Sequence, residues 1–300
     1  NLNYSNLNIY QLIKSFLLKL VSKKMDKAKK QLKRKWLITG VAGFIGINLA
    51  EFLLERGQKV FGIDNLSTGK AKNVERLKKK FKKQFIFTKG DILSFKTLIE
   101  VSKDVDCIVH LAAQVSVARS IKLPNETNEI NVSGFLNVIQ AASIMKADSF
   151  IYASSCAVYG ENNNLPLSES HNVSPMSPYA ASKLANEYYA SCYKFLSPNL
   201  KITGLRFFNI FGPWQDYDGG YAAVIPKWIK LLINKKKPVI FGNGSTTRDF
   251  CYVENVCDAI YKTSFIGINK SGNVLNICSG ETIRLDELYK QLIAVLERKN

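Results

Sequence analysis

Two residues with complementary chemistry, Tyr179 and Lys183, stand four positions apart in the stretch Tyr-Ala-Ala-Ser-Lys. On a helix this spacing puts both side chains on one face, so that their polar ends lie close together. A free phenol has a pKa of about 10 and is a poor base at neutral pH, but a neighbouring ammonium group favours the phenolate. Pro178 fixes a helix start just before the tyrosine, and the dipole at that end also favours an anion. The pair therefore predicts a tyrosine that removes a proton from a hydroxyl group.

Ser155 is the third candidate catalytic residue. It follows a predicted strand over 149–153, and the carboxyl end of a strand in a parallel sheet borders the ligand-binding crevice. A serine at that place can hydrogen-bond both a phenolate and a substrate hydroxyl. Because serines after strands often only form turns, this prediction depends on the combination with Tyr179 and Lys183.

A glycine-rich turn precedes these residues in the chain. Gly40, Gly43 and Gly46 follow a predicted strand over 36–39 and open a predicted helix over 46–56. The first glycine permits the turn, the second lets the backbone approach a phosphate, and the third permits close packing of the helix on the strand. Backbone N–H groups at the start of such a helix bind a pyrophosphate. Together with the tyrosine and the lysine, the turn predicts proton removal from a hydroxyl beside a bound nicotinamide.

Asp64 follows the second predicted strand, over 59–63. A carboxylate at that place can accept hydrogen bonds from an adenosine ribose, and it repels a 2′-phosphate, which favours NAD over NADP. The alternative is an aspartate that only caps a turn. The other residues predicted to contact the cofactor are Phe44, Ile45, Asn65, Ser67, Thr68, Gly69, Asp91, Ile92, Leu111, Ala112, Ala113, Asn131 and Phe208.

Further strands are predicted over 85–87, 107–111 and 202–207, and further helices over 131–142 and 179–195. Strands and helices thus alternate along most of the chain, which predicts an α/β fold: a Rossmann-like doubly wound parallel sheet with helices on both faces. We expect an NAD-binding domain over 36–208 and a smaller C-terminal substrate-binding region over 209–300 that interleaves with the sheet. Residues 1–35 are interpreted as a basic helical arm. The chain starts with Asn, so Met25 is a candidate natural start, with 1–24 upstream of it.

The composition excludes several classes of protein. The hydrophobic fraction is 46%, as in an ordinary globular chain, and no apolar run of about 18 residues predicts a membrane helix. The net charge is +18, but no nucleic-acid-binding motif accompanies it, so we interpret the lysine clusters as solvated surface. Six cysteines without metal-ligand spacing favour a reducing cytoplasm and argue against a metal site. Without a Gly-x-Ser-x-Gly elbow, a serine hydrolase is excluded.

These motifs resemble those of the extended short-chain dehydrogenase/reductase family, and within it the UDP-hexose 4-epimerases. The stretches that carry the resemblance are 39–46, 64–69, 177–183 and 205–209. Two more stretches, 219–228 and 247–252, are similar to the branch that acts on UDP-N-acetylglucosamine. The resemblance covers nearly the whole chain from Trp36. Because epimerases of this family continue further, we expect this chain to be truncated at its C-terminus.

The resemblance implies an activity and a role for each residue. Tyr179 takes the proton from the sugar 4-hydroxyl, C4 gives hydride to NAD, and both return after the 4-keto sugar has turned over. Ser155 hydrogen-bonds the tyrosine, while Lys183 holds the nicotinamide ribose and lowers the pKa of the phenol. The substrate is UDP-GlcNAc/UDP-GalNAc or UDP-Glc/UDP-Gal, as a precursor of cell-surface polysaccharide. The residues implied in substrate binding are Ser116, Ser155, Tyr179, Asn209, Gln215, Ala223, Val224, Phe241 and Arg248.

Three alternatives remain open. A nucleotide-sugar dehydratase of the same family carries an acid pair after the serine, where this chain has Cys156 and Ala157. A UDP-glucuronate decarboxylase needs a cation for the substrate carboxylate, for which Arg119 is a candidate. A non-catalytic NAD-binding regulatory protein is expected to have lost Tyr179 or Lys183, and both are present. The resemblance also implies a homodimer, formed through two long helices of each subunit.

Overall fold

The computed structural model describes residues 33–162, 164–217, 223–240, 242–265 and 273–297. Lys35–Asn300 forms one compact unit. The arm predicted for 1–35 lies outside the described residues except for its C-terminal end, and the candidate start at Met25 lies outside them altogether. The boundary predicted between residues 208 and 209 stays a prediction.

Short strands are spread over the whole described part of the chain. They are β1 (Lys35–Thr39), β2 (Lys59–Asp64), β3 (Phe85–Lys89), β4 (Cys107–His110), β5 (Ser149–Ser155), β6 (Lys201–Phe207), β7 (Asn209–Phe211), β8 (Thr247–Arg248), β9 (Phe250–Tyr252), β10 (Asn273–Ile277) and β11 (Ile283–Arg284). Those up to β6 lie within one or two residues of the strands that the sequence predicts.

Helices alternate with these strands. They are α1 (Phe44–Glu55), α2 (Ala71–Phe81), α3 (Phe95–Val101), α4 (Val117–Lys122), α5 (Pro124–Asn128), α6 (Gly134–Ile144), α7 (Pro178–Leu196), α8 (Val224–Ile233), α9 (Val253–Phe265) and α10 (Leu285–Glu297). A π-helical turn, Glu129–Ser133, joins α5 to α6, and a 3-10 turn, Cys156–Tyr159, follows β5. None of the helices in the described ranges has the length and apolar character needed to cross a membrane.

The main sheet of the described residues has seven strands in the order β10-β6-β5-β4-β1-β2-β3, and their pairings are parallel. The chain winds outward from β1 to β3, then crosses to β4 on the other side of β1 and winds outward again. This doubly wound order confirms the predicted Rossmann-like fold. It puts the switch point between β1 and β4, where ligands bind in such sheets.

Alternating side chains in β1 show why both faces of the sheet are covered. Trp36 and Ile38 are fully buried on one face, in a cluster that includes residues of α1 and α9. Leu37 is fully buried on the other face, in a cluster that includes residues of α6 and α7. Successive side chains of a strand point to opposite faces, so an apolar run such as this one requires helices on both sides.

The described residues from β7 onwards form two small sheets and a separate apolar cluster. β7 pairs in parallel with β9, and β8 pairs antiparallel with β11. Ile225 and Trp228 of α8 pack with Leu288 of α10, apart from the main core. β10 returns to the edge of the main sheet beside β6, so this part of the chain also contributes a strand to that sheet.

The helix predicted over 131–142 differs from the structure at its start. Its first turn is the π-helical turn Glu129–Ser133, and α6 begins only at Gly134. The wider turn holds Asn131 in the interior, where its side chain bonds to Ser182 of α7 at 3.0 Å. Apolar spacing reports the exposed and buried faces of a helix but carries no signal for a single wide turn.

Candidate active site

Tyr179 lies in the first turn of α7, and local sequence fixes that turn. Pro178 occupies the first helical position, where its missing N–H costs nothing. Ser177 caps the helix, since its Oγ accepts a 3.1 Å hydrogen bond from the backbone N of Ala180. The tyrosine is therefore held at a helix N-terminus, as the sequence predicts.

Burial controls the ionisation of the Tyr179 phenol. Loss of water raises its pKa above the ordinary value of 10, a hydrogen bond with the Ser155 side chain lowers it in part, and Cys156 adds to the rise. The net pKa of the phenol is raised, because burial disfavours the phenolate more than Ser155 favours it. The lowering contribution of Lys183 stays a prediction. A positive charge brought next to the phenol would be needed to reverse this balance.

Lys183 is buried one turn further along α7, with 3% of its surface exposed. Its Nζ donates a 3.0 Å hydrogen bond to the carbonyl oxygen of Ala153 in β5 and lies 5.9 Å from the centre of the Tyr179 ring. Burial lowers the pKa of the ammonium group to about 8. The structure thus brings the lysine, the tyrosine and the end of β5 together.

Ser155 is the last residue of β5 and opens the turn Cys156–Tyr159. Its Oγ accepts a 3.1 Å hydrogen bond from the backbone N of Ala157. Burial raises the pKa of the Cys156 thiol to about 11, so the thiol stays protonated at neutral pH. Since Ala157 has no ionisable group, this turn supplies neither an acid nor a base beside the serine.

The glycine turn connects β1 to α1 at the switch point of the sheet. Gly40 has a φ of +71°, and a Cβ on it would lie 2.8 Å from the backbone N of Ala112. A Cβ on Gly46 would lie 2.2 Å from the carbonyl oxygen of Gly40. The backbone N of Gly43 donates to that same oxygen at 3.1 Å and closes the turn. Gly40 and Gly46 are therefore required by the close approach of backbone segments.

The start of α1 fits the pyrophosphate of a dinucleotide. Gly43 is the N-cap and offers no capping side chain, and the first turn of α1 carries no acidic residue. The N–H groups at the start of a helix have no partner within the helix, and the dipole there favours an anion. Phe44 and Ile45, both predicted to contact the cofactor, stand at this start.

Asp64 ties the end of β2 to the glycine turn. Its Oδ2 accepts a 2.9 Å hydrogen bond from the backbone N of Ala42, and its Oδ1 accepts one of 2.8 Å from Leu66. The side chain of Asn65 donates to Asp91 at 2.8 Å, which links the ends of β2 and β3. A carboxylate has about four lone-pair sites, so these bonds leave acceptor capacity for the predicted ribose.

The other predicted cofactor residues lie close to the same edge of the sheet. Ser67, Thr68 and Gly69 follow β2, Ile92 follows β3, Leu111, Ala112 and Ala113 follow β4, and Phe208 follows β6. Asn131 reaches the segment after β4 from the π-helical turn, because its Oδ1 accepts a 2.8 Å hydrogen bond from the backbone N of Gln114. The crevice outside the carboxyl ends of the strands is thus surrounded by these residues.

A cavity of about 360 Å³ lies between β7, β9 and the start of α8. Its lining includes Asn209, Ala223, Val224 and Arg248, which the sequence predicts as substrate contacts. The Asn209 amide is fixed by a 2.8 Å hydrogen bond that its Nδ2 donates to the carbonyl oxygen of Asp249. Arg248 has an exposed side chain, and its Nη1 donates to its neighbour's carbonyl oxygen at 2.8 Å. The tertiary structure brings together residues that are up to 39 positions apart, from 209 to 248.

Four of the predicted substrate contacts that the structure describes lie outside the lining of this cavity: Ser116, Ser155, Tyr179 and Gln215. Gln215 is attached to it through a 3.0 Å hydrogen bond to the carbonyl oxygen of Ile210, and its buried Oε1 has no hydrogen-bond partner within the described ranges. Ser116 caps α4 by accepting a 3.1 Å bond from the backbone N of Arg119. Phe241 lies outside the described residues.

Known proteins are similar to this chain in sequence and in fold. The NAD dependent epimerase/dehydratase family matches residues 36–278 of the chain. The chain belongs to this family. Its cofactor is accordingly NAD, and the uncapped start of α1 with Asp64 beside it fits that molecule. The described residues of this epimerase/dehydratase contain no cluster of His, Cys, Asp and Glu that could hold a metal ion.

Relatives of this epimerase/dehydratase include enzymes of both kinds. The putative UDP-glucose 4-epimerase of Methanocaldococcus jannaschii is 35% identical, over 84% of this chain and 79% of that protein. The solved UDP-N-acetylglucosamine 4-epimerase of Methanobrevibacter ruminantium, in complex with UDP-N-acetylmuramic acid, is 36% identical with a TM-score of 0.82, over 88% and 83%. The dTDP-D-glucose 4,6-dehydratase of Dictyostelium discoideum is 32% identical, over 87% and 62%. Family membership therefore does not by itself choose between the two reactions.

Two buried pairs in this epimerase/dehydratase escaped the sequence reasoning. Thr39 Oγ1 and His110 Nδ1 are hydrogen-bonded at 2.8 Å, and burial lowers the pKa of His110 to about 3, with a further contribution from the Lys183 charge. Arg206 and Glu187 form an ion pair of 2.7 Å. Helical spacing places Glu187 on the face of α7 that carries Lys183, but it gives no signal for a partner on β6.

Proposed function

We propose that this family member interconverts the C4 epimers of a UDP-sugar. The observation that carries the proposal is the meeting of Tyr179, Lys183 and Ser155 at the carboxyl edge of the sheet, without a carboxylate in the turn that follows the serine. This arrangement supports removal of a proton from a hydroxyl and its later return. It offers no group for the elimination of water.

Each side chain has a separate task in the proposed reaction. When bound, NAD supplies the acceptor and donor of the hydride at C4 of the sugar. Tyr179 takes the proton of the 4-hydroxyl oxygen and gives it back to that oxygen. Ser155 hydrogen-bonds the phenol and orients it, and the Lys183 ammonium places a positive charge nearby that favours the phenolate.

The cavity beside α8 supports a UDP group as the part of the substrate that the protein holds. The Arg248 guanidinium has a planar fork of donors that suits a diphosphate, and Asn209 offers a fixed amide. α8 starts after Ala223, which supplies no side-chain cap, so its N-terminal N–H groups also favour an anion. We infer that the nucleotide lies in this cavity and that the sugar extends from it towards Tyr179.

We propose two substrate pairs, UDP-GlcNAc with UDP-GalNAc and UDP-Glc with UDP-Gal, as precursors of cell-surface polysaccharide. The names of similar proteins support both, since one is a putative UDP-glucose 4-epimerase and another a UDP-N-acetylglucosamine 4-epimerase. The pairs differ only at C2 of the sugar, whereas the proton and hydride transfers take place at C4. The same proton and hydride transfers serve both.

The competing reactions find less support in the site. A dehydratase needs an acid and a base after the serine, where this chain has a protonated thiol, Cys156, and Ala157. A decarboxylase needs a cation for a carboxylate, and its candidate, Arg119, bonds to Glu126 at 2.7 Å. That carboxylate already neutralises the arginine, so a second carboxylate gains little from it.

We further propose a cytoplasmic homodimer. The α7 surface exposes apolar side chains, among them Tyr188, Phe195 and Leu196, and the neighbouring α4 exposes Ile121. An apolar face of this kind is typical of a surface that another protein covers, and a second copy of the chain is the occupant we expect. All six cysteines are free thiols, which suits the reducing cytoplasm.

Product analysis by NMR tests the proposed function directly. The protein with NAD is incubated separately with UDP-GlcNAc and UDP-Glc, and the sugar proton couplings are followed. Inversion at C4 of either compound is the expected result. A 4-keto-6-deoxy product would instead identify a dehydratase, and the absence of any product with NAD bound would refute the epimerase proposal.

A further inference from the structure

We propose that Glu187 and Arg206 form a buried clamp that positions Tyr179 against Ser155, so that loss of the clamp slows the chemical step without weakening ligand binding. This inference rests on the proposed function, because it assigns a positioning role in that same site. Neither residue belongs to the catalytic group itself.

The clamp is a two-point ion pair in the interior. Arg206 Nε donates to Glu187 Oε1 at 2.9 Å, and Arg206 Nη2 donates to Oε2 at 2.7 Å. The two side chains are 5% and 9% exposed. A guanidinium and a carboxylate joined by two parallel bonds fix both distance and orientation. The pair therefore locks α7, which carries Glu187, onto β6, which carries Arg206.

Glu187 lies on the same face of α7 as the two catalytic residues of that helix. Tyr179, Lys183 and Glu187 are spaced by four residues each and so share one face of the helix. Lys183 bonds to the carbonyl oxygen of Ala153, and Glu187 accepts a 2.5 Å bond from Ser154 Oγ. Lys183 and Glu187, on successive turns of α7, are thus bonded to the two residues that precede Ser155.

The clamp also holds the segment after Ser155. Arg206 Nη1 donates to the Tyr159 hydroxyl at 2.8 Å, and its guanidinium carbon lies 4.7 Å from the centre of the Tyr159 ring. The Tyr159 hydroxyl in turn donates to Asn276 of β10 at 2.7 Å. Ser155 is therefore bracketed: Glu187 bonds the residue before it, and Arg206 bonds the end of the turn that follows it.

This bracketing matters because the two reacting groups come from different elements. Tyr179 stands on α7 and Ser155 on β5, so their separation depends on how the helix seats on the sheet. A misplacement of 1 Å at a reacting centre costs about 10²-fold in rate. Lys183 bonds α7 to β5. Glu187 and Arg206 add bonds from α7 to β5 and β6, and neither of them lines the substrate-binding cavity.

The first test replaces the carboxylate by its amide. In Glu187→Gln we expect kcat to fall by about 10²-fold, with KM for the UDP-sugar and the amount of bound NAD unchanged. Asp258→Asn is the control, because it breaks an ion pair to Lys262 whose side chains are 44% and 63% exposed. A Glu187→Gln enzyme with the kcat of the wild type would overturn the proposal.

A double variant separates positioning from stability. An unpaired buried charge destabilises a fold, whereas replacing both charges by apolar groups of similar size is often neutral or stabilising. Glu187→Leu/Arg206→Met should therefore regain the melting temperature of the wild type while its kcat stays low. If turnover returns together with stability, the pair only stabilises the fold and the proposal fails.

Tyr159→Phe tests the positioning role of the clamp even if the double variant does not fold. It leaves the ion pair in place and removes only the hydroxyl between Arg206 and Asn276. We expect a several-fold fall in kcat at unchanged KM, with a somewhat lower melting temperature because Arg206 and Asn276 each lose a buried hydrogen-bond partner. Full activity in this variant would contradict the bracketing of Ser155.

Titration of the phenol gives a readout that does not depend on the substrate. The absorbance change on ionisation of Tyr179 is obtained by subtracting the Tyr179→Phe spectrum in each background. In Glu187→Gln we expect its midpoint to move up, because a loosened α7 separates the phenol from Ser155 and Lys183. An unmoved midpoint contradicts the clamp, whereas a wild type that epimerises no UDP-sugar contradicts the proposed function instead.

Discussion

Lys183 Nζ donates a 3.0 Å hydrogen bond to the carbonyl oxygen of Ala153, two residues before Ser155. The bond joins α7 to β5 at the place where both elements present their reacting side chains. It also holds an ammonium group in the interior, where its charge is costly unless a partner is close. The lysine is thus both an anchor of the helix and a positive charge 5.9 Å from the centre of the Tyr179 ring.

Burial of Lys183 predicts a stability that depends on pH. Its pKa is lowered from 10.5 to about 8 in the folded protein. Between these two pH values the unfolded chain binds more protons than the folded one, so the free energy of unfolding should rise with pH across this window. The contribution is at most about 1.4 kcal/mol per pH unit. Urea unfolding of the wild type and Lys183→Met at several pH values measures it.

Comparing the pH dependence of unfolding in the wild type and in Lys183→Met separates the effect of this lysine from that of other titrating groups. Lys183→Met is expected to lack the extra rise from pH 8 upwards, because methionine has no proton to lose. Equal slopes in the two proteins would show that the lysine is not held as a buried amine. Lys194→Met, near the other end of the same helix, serves as a control and should keep the rise.

Tyr179→Phe should abolish epimerisation while NAD binding persists. The hydroxyl is the only part removed, and general acid–base catalysis by one side chain contributes about 10²- to 10⁴-fold in rate. Turnover of the UDP-sugar and the NAD released on denaturation are measured together. Tyr188→Phe on the exposed side of the same helix is the matched control and should retain the wild-type rate. Comparable rates in both variants would exclude Tyr179 as the base.

Gly46→Ala should destabilise the fold and not only the cofactor site. The new Cβ would lie 2.2 Å from the carbonyl oxygen of Gly40, so α1 and β1 would have to move apart. Overpacking of this kind typically lowers the free energy of unfolding by about 1–3 kcal/mol. At Gly43 the closest atom to a new Cβ is 3.3 Å away, so Gly43→Ala should unfold nearly as the wild type does. Thermal unfolding of the two variants distinguishes these outcomes.

The loop after β7 should matter for substrate binding through Trp214. The Arg76 guanidinium of α2 lies 4.2 Å from a ring centre of Trp214, and Asn48 of α1 donates to the carbonyl oxygen of Pro213 at 2.9 Å. Trp214→Ala removes the stacking contact, so the loop that carries Gln215 loosens and KM for the UDP-sugar should rise several-fold. Kinetics at saturating and limiting substrate separate KM from kcat.

A second contact of the same loop gives the control for this prediction. Asp216 pairs with Lys70 at 3.0 Å, but the two side chains are 53% and 37% exposed. Exposed ion pairs contribute about 0–1 kcal/mol and are screened by salt. Asp216→Asn should therefore change KM little. A larger effect from Asp216→Asn than from Trp214→Ala would reverse this ranking.

Most of the fold could be predicted because it depends on local pattern. Apolar runs such as 36–38 and 107–109 predict strands that are buried on both faces of a sheet. Helices between such strands carry the chain back across the sheet, so that the strands run parallel. The π-helical turn at Asn131 could not be predicted in this way. It depends on what α6 packs against, and no residue type marks it.

The site was predictable in part, and the missing part has a common cause. Tyr179 with Lys183, and Gly40 with Gly46, lie within single elements or turns, where spacing alone sets the geometry. Glu187 with Arg206 joins a helix to a strand across the interior. Sequence separation says nothing about such a contact until the order of the strands is known.

The sequence by itself determined the local chemistry of this protein: a tyrosine and a lysine on one helix face, a glycine turn before a helix, and a strand-end aspartate. Only the tertiary structure decided which segments meet, as when β7, α8 and β8 bring Asn209, Val224 and Arg248 to one cavity. It also decided how deeply Tyr179 is buried, and that burial raises the pKa of its phenol. The physical reason is that periodicity acts over a few residues, whereas desolvation depends on everything that packs around a group.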